Sequence, residues 1–280
     1  MKLTKNQRFG LITFLILLLA SYLVTMEPWK RSSSALLTNP EGGPTLPVSI
    51  RWDRLETGYP VTTNADTVLT YAAFSLGYNE AHEQPAWVAY VLTREEVLGD
   101  SVRRTDRFRA DTLIRSGSAE LSDYRGSGYD RGHLAPAADM RWSKQAMYES
   151  FLLSNMSPQE PSFNRGIWKR LEDKVRTWAL EKESLYVVTG PVLNSMMDVI
   201  GENDVGVPDS YFKVLVDLSP PDHDMVAFLL PHRGSSADPV AYAITVDSLE
   251  VVTGYDFFGG APDPEIIDWL EGMILPENWK

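Results

Sequence analysis

The sequence contains no cysteine. This absence excludes disulfide bonds, zinc sites built from thiolates, cysteine nucleophiles and the attachment of bacterial lipid at a cysteine. Chemistry that depends on a thiol is therefore outside the reach of this chain.

Histidine is scarce as well: the 280 residues hold only His82, His133, His223 and His232, and there is no HExxH motif. A zinc hydrolase of the HExxH type is therefore not indicated. Because His223 follows two prolines and His232 lies in a Pro-His-Arg segment, we interpret both as surface-loop residues rather than ligands. His133 then needs an explanation, since histidine can take up a proton near neutral pH.

Positive charge is the third quantity in short supply, with 26 Lys and Arg against 38 Asp and Glu and a formal net charge of −12. This balance argues against a protein that coats nucleic acid, which normally relies on a basic surface. It leaves room for an enzyme whose cations are gathered in one cleft. The length suits one large domain or two small ones, and a hydrophobic fraction of 44% is ordinary for a globular protein.

The amino-terminal residues carry a membrane-targeting pattern. Lys2, Lys5 and Arg8 precede an uncharged, mostly apolar run at residues 10–26, which we interpret as an uncleaved signal anchor in preference to a cleaved signal peptide. Residues 27–50 are rich in serine, proline and glycine and are typical of a flexible linker. Residues 51–280 would then form the catalytic domain, on the periplasmic side of the membrane. A mitochondrial intermembrane location is ranked lower, because the leader lacks the Arg-rich, Ser-rich pattern of transit peptides.

Residues 129–136 read YDRGHLAP and place His133 two positions after Arg131. Arginine is the side chain best shaped to grip a phosphate, so a proton acceptor and a phosphate clamp stand together, as phosphodiester chemistry requires. A cluster of arginines precedes this motif. We give equal weight to two interpretations of it, a solvated basic face and a phosphate-binding site. Its members are Arg103, Arg104, Arg107 and Arg109.

The rest of the chain predicts a mixed α+β domain. Apolar, β-prone runs predict buried strands at residues 86–92, 151–156, 185–190, 211–216, 225–230 and 241–246. Residues 93–98 are interpreted as a strand end or turn, and residues 116–128 as a loop. Helices are predicted from the N-cap Ser143 onward, at residues 163–179, and at residues 266–274.

The helix predicted at residues 163–179 carries a core face and a polar edge. The core face is made of Ile167, Trp168, Leu171, Val175 and Trp178. Asn164, Glu172 and Arg176 differ by multiples of four residues and would share a neighbouring stripe. Such a stripe could hold a hard cation on Asn164, because Mg²⁺ prefers oxygen ligands and often uses only one or two from the protein. The alternative is an asparagine cap with an ordinary Glu172–Arg176 surface pair.

Several segments together resemble one known family, the DNA/RNA non-specific endonucleases. They are DYRGSGYDRGHLAPAADMRWS, NMSPQ, FNRGIWKRLEDKVRTW, QPAWVAYVLTRE, YVVTGPVL, VPDSYFKVLVD and AITVDSLEVVTGYDFF, spread over residues 55–260. The resemblance implies a ββα-metal (His-Me finger) nuclease fold of the α+β class, with a central, mainly antiparallel sheet flanked by helices.

The same resemblance implies a role for each motif residue. His133 matches the general base, Asn164 the direct Mg²⁺ ligand, and Glu172 the carboxylate that holds a metal-bound water. Four further residues match supporting positions: Asn155 for site support, Arg131 in the motif, Arg176 on the helix near the phosphate, and Arg107 as the upstream phosphate-contacting arginine.

We therefore expect a Mg²⁺-dependent, sugar-non-specific endonuclease, with Mn²⁺ as a candidate substitute ion. Its substrates would be DNA and RNA, and family resemblance implies products with 5′-phosphate and 3′-hydroxyl ends. Further candidate partners are the membrane, through the amino-terminal segment, and a second copy in a homodimer. The alternative from another class is a catalytically retired binding or scaffold protein at the membrane surface that has kept the nuclease fold.

Overall fold

The computed structural model describes residues 58–99, 101–217, 223–261 and 264–280. The predicted signal anchor at residues 1–26 and the predicted linker at residues 27–50 lie outside the described residues. Among the helices within these ranges, none combines the length and the apolar character needed to cross a membrane.

A seven-stranded sheet forms the centre of the fold, and every neighbouring pair of its strands is antiparallel. In spatial order the strands are β1 (Thr67–Thr70), β2 (Ser75–Asn79), β3 (Gln84–Thr93), β6 (Ser184–Pro191), β9 (Ser210–Asp217), β10 (Asp224–Pro231) and β11 (Ala243–Ile244). The prediction of an α+β domain with a mainly antiparallel sheet is confirmed.

Both faces of the sheet are buried, which explains why its central strands are almost continuously apolar rather than alternating. In β3, Val88 and Tyr90 pack on one face while Trp87 and Ala89 pack on the other. The first face is covered by helix α4 (Lys169–Glu181). The second face is covered by α5 (Val246–Thr253) and α6 (Pro264–Glu271). The fold is therefore layered, with helices on each side of the sheet.

A separate two-stranded pair lies outside the main sheet and carries the histidine motif. Strand β4 (Asp130–His133) pairs antiparallel with β5 (Met156–Gln159), so that His133 lies opposite Met156. The strand predicted at residues 151–156 is wrong, because this stretch forms a 3₁₀ turn at Leu153–Asn155 and the strand begins only at Met156. The Asn155 amide, bonded to main-chain groups of Ala135 and Ser150, keeps the chain turned.

The helix predicted at residues 163–179 is present but is not regular. Its first part, Phe163–Trp168, is a π-helical segment in which Gly166 has non-helical angles (φ −104°, ψ −109°), and α4 continues from Lys169. The predicted core face is confirmed, since Ile167, Trp168, Leu171, Val175 and Trp178 are all buried. The break changes the direction of the residues before it, so the fourfold spacing from Asn164 is not that of one straight helix.

Three further predictions are corrected by capping interactions. Residues 94–98 form helix α1 (Arg94–Leu98), because Thr93 and Glu96 make a reciprocal capping box. The predicted loop at residues 116–128 contains a short helix, α2 (Leu121–Tyr124), with a similar box at Glu120. The strand predicted at residues 241–246 reduces to the two residues of β11, because Asp238 caps a 3₁₀ turn before it and Thr245 caps α5 after it.

The helix predicted to start at Ser143 is confirmed: its hydroxyl accepts from the Ala146 amide and caps α3 (Lys144–Glu149). The remaining elements are a small hairpin and a final 3₁₀ turn. They are β7 (Asp198–Ile200), β8 (Val205–Val207) and Pro276–Trp279.

The carboxy-terminal turn is fastened into the core by Trp279. This side chain is 1% exposed, its ring packs edge-on against Trp178 at 5.4 Å, and its Nε1 donates to Asp224 Oδ2 at 2.7 Å. Asn278 donates to the same oxygen at 3.0 Å. A large aromatic side chain and a polar tie to β10 therefore anchor the end of the chain to the face of the sheet that α4 covers.

We predict that Trp279→Ala lowers the free energy of unfolding by about 3–5 kcal/mol, the usual cost of removing a buried tryptophan. Trp279→Phe keeps an aromatic ring but removes the donor to Asp224, so its loss should be smaller, about 1–3 kcal/mol. Urea unfolding followed by circular dichroism measures both. Equal losses for the two variants would show that the ring packing contributes little.

Candidate active site

A cavity of about 440 Å³ opens between strand β4 with the residues that follow it, the loop at residues 104–108, and the π-helical segment with helix α4. Its charged and polar lining consists of Arg104, Asp106, Asp130, Arg131, His133, Asn164, Arg165, Lys169, Glu172 and Arg176. Five cationic side chains and three carboxylates thus meet in one place on a chain with a net charge of −12. The cavity is where this acidic protein gathers positive charge.

Five of the seven residues predicted from sequence line this cavity: His133, Arg131, Asn164, Glu172 and Arg176. They come from two distant segments, the β4 strand and the π-helical segment with α4. The structure therefore joins the histidine motif to the helix edge.

His133 lies at the end of β4 and is almost fully buried. Its ring contacts Phe108 at 5.5 Å and Phe151 at 4.9 Å, both edge-on. The Nε2 atom has no hydrogen-bond partner within the described ranges. Burial, helped by the guanidinium groups of Arg104 and Arg131, lowers the pKa of His133 to about 3. At neutral pH the imidazole is uncharged and can accept a proton.

Asp130, at the start of the same strand, connects β4 to the π-helical segment. Its Oδ2 accepts from Asn164 Nδ2 at 2.9 Å, and both of its oxygens accept from the Arg165 guanidinium, at 2.8 and 2.6 Å. Burial opposes its charge, but these hydrogen bonds lower the pKa of Asp130. Because an ionised carboxylate only accepts, the NH₂ group of Asn164 must face it. The amide oxygen of Asn164 is thereby turned toward the cavity.

Asn155 does not line the cavity but supports it from behind. Its Oδ1 accepts from the Ala135 amide at 2.9 Å, and its Nδ2 donates to the Ala135 and Ser150 carbonyls at 3.0 and 2.9 Å. Its main-chain oxygen also accepts from Leu134 at 3.0 Å. These bonds fix the path of the chain after His133.

Arg176 is held by carboxylates other than the predicted Glu172. Its Nη1 donates to Asp139 Oδ1 at 2.7 Å, its Nη2 donates to Asp173, and Tyr90 donates to the second oxygen of Asp139 at 2.9 Å. Burial works against the charge of Arg176, but Asp139 outweighs it and raises the pKa. The alternative of a simple Glu172–Arg176 surface pair is therefore not what the structure shows. Arg176 is oriented by a buried aspartate and presented to the cavity.

Glu172 faces an opposite charge that sequence analysis did not single out. Lys213, on β9, is fully buried beneath Trp168, with its Nζ 4.8 Å from the ring centroid and without a hydrogen-bond partner among the described residues. Burial raises the pKa of Glu172, and the ammonium group of Lys213 opposes that rise. Burial lowers the pKa of Lys213, and Glu172 opposes that. The sequence signal that could have identified Lys213 is its position as a lone lysine within the apolar run YFKVLV.

Arg107, like Asn155, is a predicted site residue that does not line the cavity. It is exposed, and its main-chain oxygen accepts from Arg109 Nη1 at 3.2 Å. Arg104, from the same arginine cluster, lines the cavity instead and lies 5.1 Å from the centre of the Phe151 ring. The course of the loop, which residue spacing does not encode, decides which arginine of the cluster lines the cavity.

Sequence reasoning also missed two cations of the cavity, Arg165 and Lys169. They are four residues apart on the segment that carries Asn164, so the same spacing rule that found Glu172 could have found them.

The two histidines predicted to be surface residues are buried. His232 accepts from the Glu160 amide at 2.6 Å through Nε2, and its Nδ1 lies 2.7 Å from the Pro208 carbonyl oxygen. His223 Nδ1 lies 3.2 Å from the Asp217 carbonyl oxygen. Both satisfy main-chain groups at strand ends, which a loop pattern alone does not reveal.

The oxygen groups of the cavity fit a hard divalent cation. Asn164 offers a neutral amide oxygen whose orientation is fixed, and Glu172 offers a carboxylate nearby. Mg²⁺ typically takes few ligands from the protein and fills the rest of its octahedron with water and substrate oxygens. The absence of cysteine is consistent with such a site, since thiolates favour softer metals.

Comparison with known proteins shows which family the chain resembles. The model of the DNA/RNA non-specific endonuclease family matches residues 53–264. A nuclease of Nostoc sp. is 35% identical over 213 residues, covering 72% of this chain and 76% of the relative. Human mitochondrial endonuclease G is 34% identical over 199 residues, covering 66% and 67%.

Mouse mitochondrial nuclease EXOG is 31% identical over 205 residues; the match covers 67% of this chain and only 56% of that protein. The crystal structure of an EndoG/EndoGI complex, whose subject is the mechanism of EndoG inhibition, aligns with this chain at a TM-score of 0.68 and 32% identity. The alignment covers 74% of this chain and 91% of the other. The β4–β5 pair followed by the crossing helix is accordingly a ββα-metal nuclease core. Because the family model matches most of the chain and these relatives are 31–35% identical to it, the chain belongs to the DNA/RNA non-specific endonucleases and is a nuclease.

Proposed function

We propose that this protein is a Mg²⁺-dependent, sugar-non-specific endonuclease that hydrolyses DNA and RNA to products with 5′-phosphate and 3′-hydroxyl ends. The observation that carries the proposal is one cavity that holds the uncharged imidazole of His133, the oriented amide oxygen of Asn164 and five cations. Membership in the family supports nucleic acid as the substrate.

His133 acts as the general base. Attack on phosphorus requires removal of a proton from water, and the uncharged imidazole of His133, which lines the cavity, can accept it. Phe108 and Phe151 hold the ring in one orientation. When an anionic phosphate enters, its charge offsets Arg104 and Arg131, so the pKa of His133 rises as the proton arrives.

The arginines bind the phosphate and stabilise the charge that develops on it. Arg131 stacks over Phe108 with 4.2 Å to the ring centroid, and Arg176 is fixed by Asp139. Guanidinium groups held in this way present paired donors to phosphate oxygens with little reorganisation. Asn164 would hold the divalent ion and Glu172 would orient water close to it. The ion would supply positive charge at the scissile phosphate.

The cavity explains why neither base sequence nor sugar type need be recognised. Its charged groups address phosphate oxygens, and phosphate contacts carry no sequence information.

The rival function, a retired scaffold that binds without cutting, would not need an uncharged histidine kept buried and unpartnered. A gel containing nucleic acid, run with and without chelator, separates the two, because only the nuclease clears the gel and only without chelator.

We also propose that residues 1–26 anchor the chain in a membrane, that residues 27–50 form a tether, and that the nuclease domain lies on the extracytoplasmic side. Lys2, Lys5 and Arg8 before the apolar run support this orientation. Endonuclease G and EXOG carry the word mitochondrial in their names, whereas the Nostoc nuclease does not. Protease added to intact cells should leave the domain uncleaved. Protease added after the outer envelope has been opened should degrade it.

We predict that His133→Ala lowers the rate of DNA and RNA cleavage by about 10²–10⁴-fold, the usual contribution of a general base. The melting temperature should change little. His82→Ala is the matched control, since His82 is partly buried outside the cavity. Cleavage by His133→Ala at the wild-type rate would remove the base assignment.

For the metal site, we predict that Asn164→Ala abolishes cleavage at low Mg²⁺ concentrations. Asp130→Asn, which leaves the ligand but loosens its orientation, should raise the Mg²⁺ concentration for half-maximal rate by about 10–100-fold, as expected for a group that orients a ligand. Asn194→Ala, an asparagine outside the cavity, serves as control. An unchanged Mg²⁺ dependence in both site variants would contradict the role of Asn164.

A further inference from the structure

Three carboxylates converge on the side of the sheet that α5 and α6 cover. Asp247 and Glu250 lie one turn apart on α5, and Glu271 is the last residue of α6. One carboxylate oxygen from each lies within 4.8 Å of the other two. The residues of α5 and α6 pack on the sheet face opposite to α4, so this cluster is separate from the catalytic cavity.

Glu271 is the member of the cluster that requires an explanation. Its side chain is only 6% exposed, and its Oε1 has no hydrogen-bond partner within the described part of the chain. A buried carboxylate without a partner is costly. The position adds to the cost, because the end of a helix carries partial negative charge from its free carbonyl groups.

The charges around Glu271 add to the cost of burying its carboxylate. After burial, the largest influences on it are four other carboxylates, Glu250, Asp247, Asp256 and Asp268, and together they raise the pKa of Glu271 to about 8. Repulsion of this kind is relieved either by a proton or by a cation.

We propose that Asp247, Glu250 and Glu271 bind a Ca²⁺ ion that joins α5 to α6. Ca²⁺ takes oxygen ligands at about 2.3–2.6 Å, so two ligands on opposite sides of the ion are at most about 5 Å apart. Three oxygens within 4.8 Å of one another fit that span. A set of three protein carboxylates suits Ca²⁺ better than Mg²⁺, because Mg²⁺ usually takes only one or two carboxylates from the protein and keeps several waters.

Glu250 is already oriented for this role. Its Oε1 accepts from the Phe257 amide at 2.8 Å, which fixes the carboxylate against the chain that follows α5. The ion would then stabilise the packing of two helices whose apolar residues, Val246, Leu249, Ile267 and Leu270, cover the sheet. Its role is structural rather than catalytic.

The test compares the melting temperature of the purified, chelator-treated full chain with and without CaCl₂ or MgCl₂ at pH 8. With Ca²⁺ about 100-fold above its Kd, we expect a rise of about 5–10 °C in the wild type. Glu271→Gln should lose this rise, whereas Glu265→Gln, an exposed glutamate of the same helix, should keep it. Asn164→Ala should also keep it, which separates this ion from one in the catalytic cavity.

The proposal is overturned if Ca²⁺ leaves the wild-type melting temperature unchanged, or raises it equally in wild type and Glu271→Gln. Should Glu271→Gln fail to fold, Asp247→Asn replaces it, since Asp247 is exposed and its substitution does not disturb the core. Retention of the full Ca²⁺ effect in Asp247→Asn would overturn the proposal equally.

Discussion

The carboxylate of Asp130 joins the two halves of the catalytic cavity. It belongs to the strand that ends in His133, and it accepts one hydrogen bond from Asn164 and two from Arg165 across the groove. Bonds of this charge-assisted type are short and directional. They decide how far β4 stands from α4 and which end of the Asn164 amide faces inward. This contact connects the strand of His133, the proposed proton acceptor, to the segment of Asn164, the proposed metal ligand.

Around this contact, burial and neighbouring charges together set the charge state of the ionisable side chains. Aromatic rings enclose His133 and two arginines face it, which keeps it uncharged. On the helix side, carboxylates face cations: Arg176 meets Asp139, and Glu172 has Lys213 behind it. The cavity, with five cations against three carboxylates, is therefore preorganised for an anion that brings its own negative charge. Such preorganisation is what electrostatic catalysis of phosphate chemistry requires.

Sequence patterns captured the parts of the molecule that local chemistry determines. Continuous apolar runs located the central strands, and helical periodicity located the core face of α4. What they missed depends on non-local contacts. The strand predicted at residues 151–156 became a turn because Asn155 bonds to the segment after His133, and the break at Gly166 lies inside an otherwise regular helical pattern. The choice of Arg104 over Arg107 depends on the path of a loop, and Lys213 reaches Glu172 only because β9 runs beneath α4.

The most direct test of the account is the Mg²⁺ dependence of cleavage of single- and double-stranded DNA and RNA by the purified, folded protein. The account predicts that all four substrates are cut in the presence of Mg²⁺, that none is cut in EDTA, and that every product carries a 5′-phosphate. Cleavage that persists in EDTA, or a folded protein that binds these substrates without cutting them at any Mg²⁺ concentration, would contradict it.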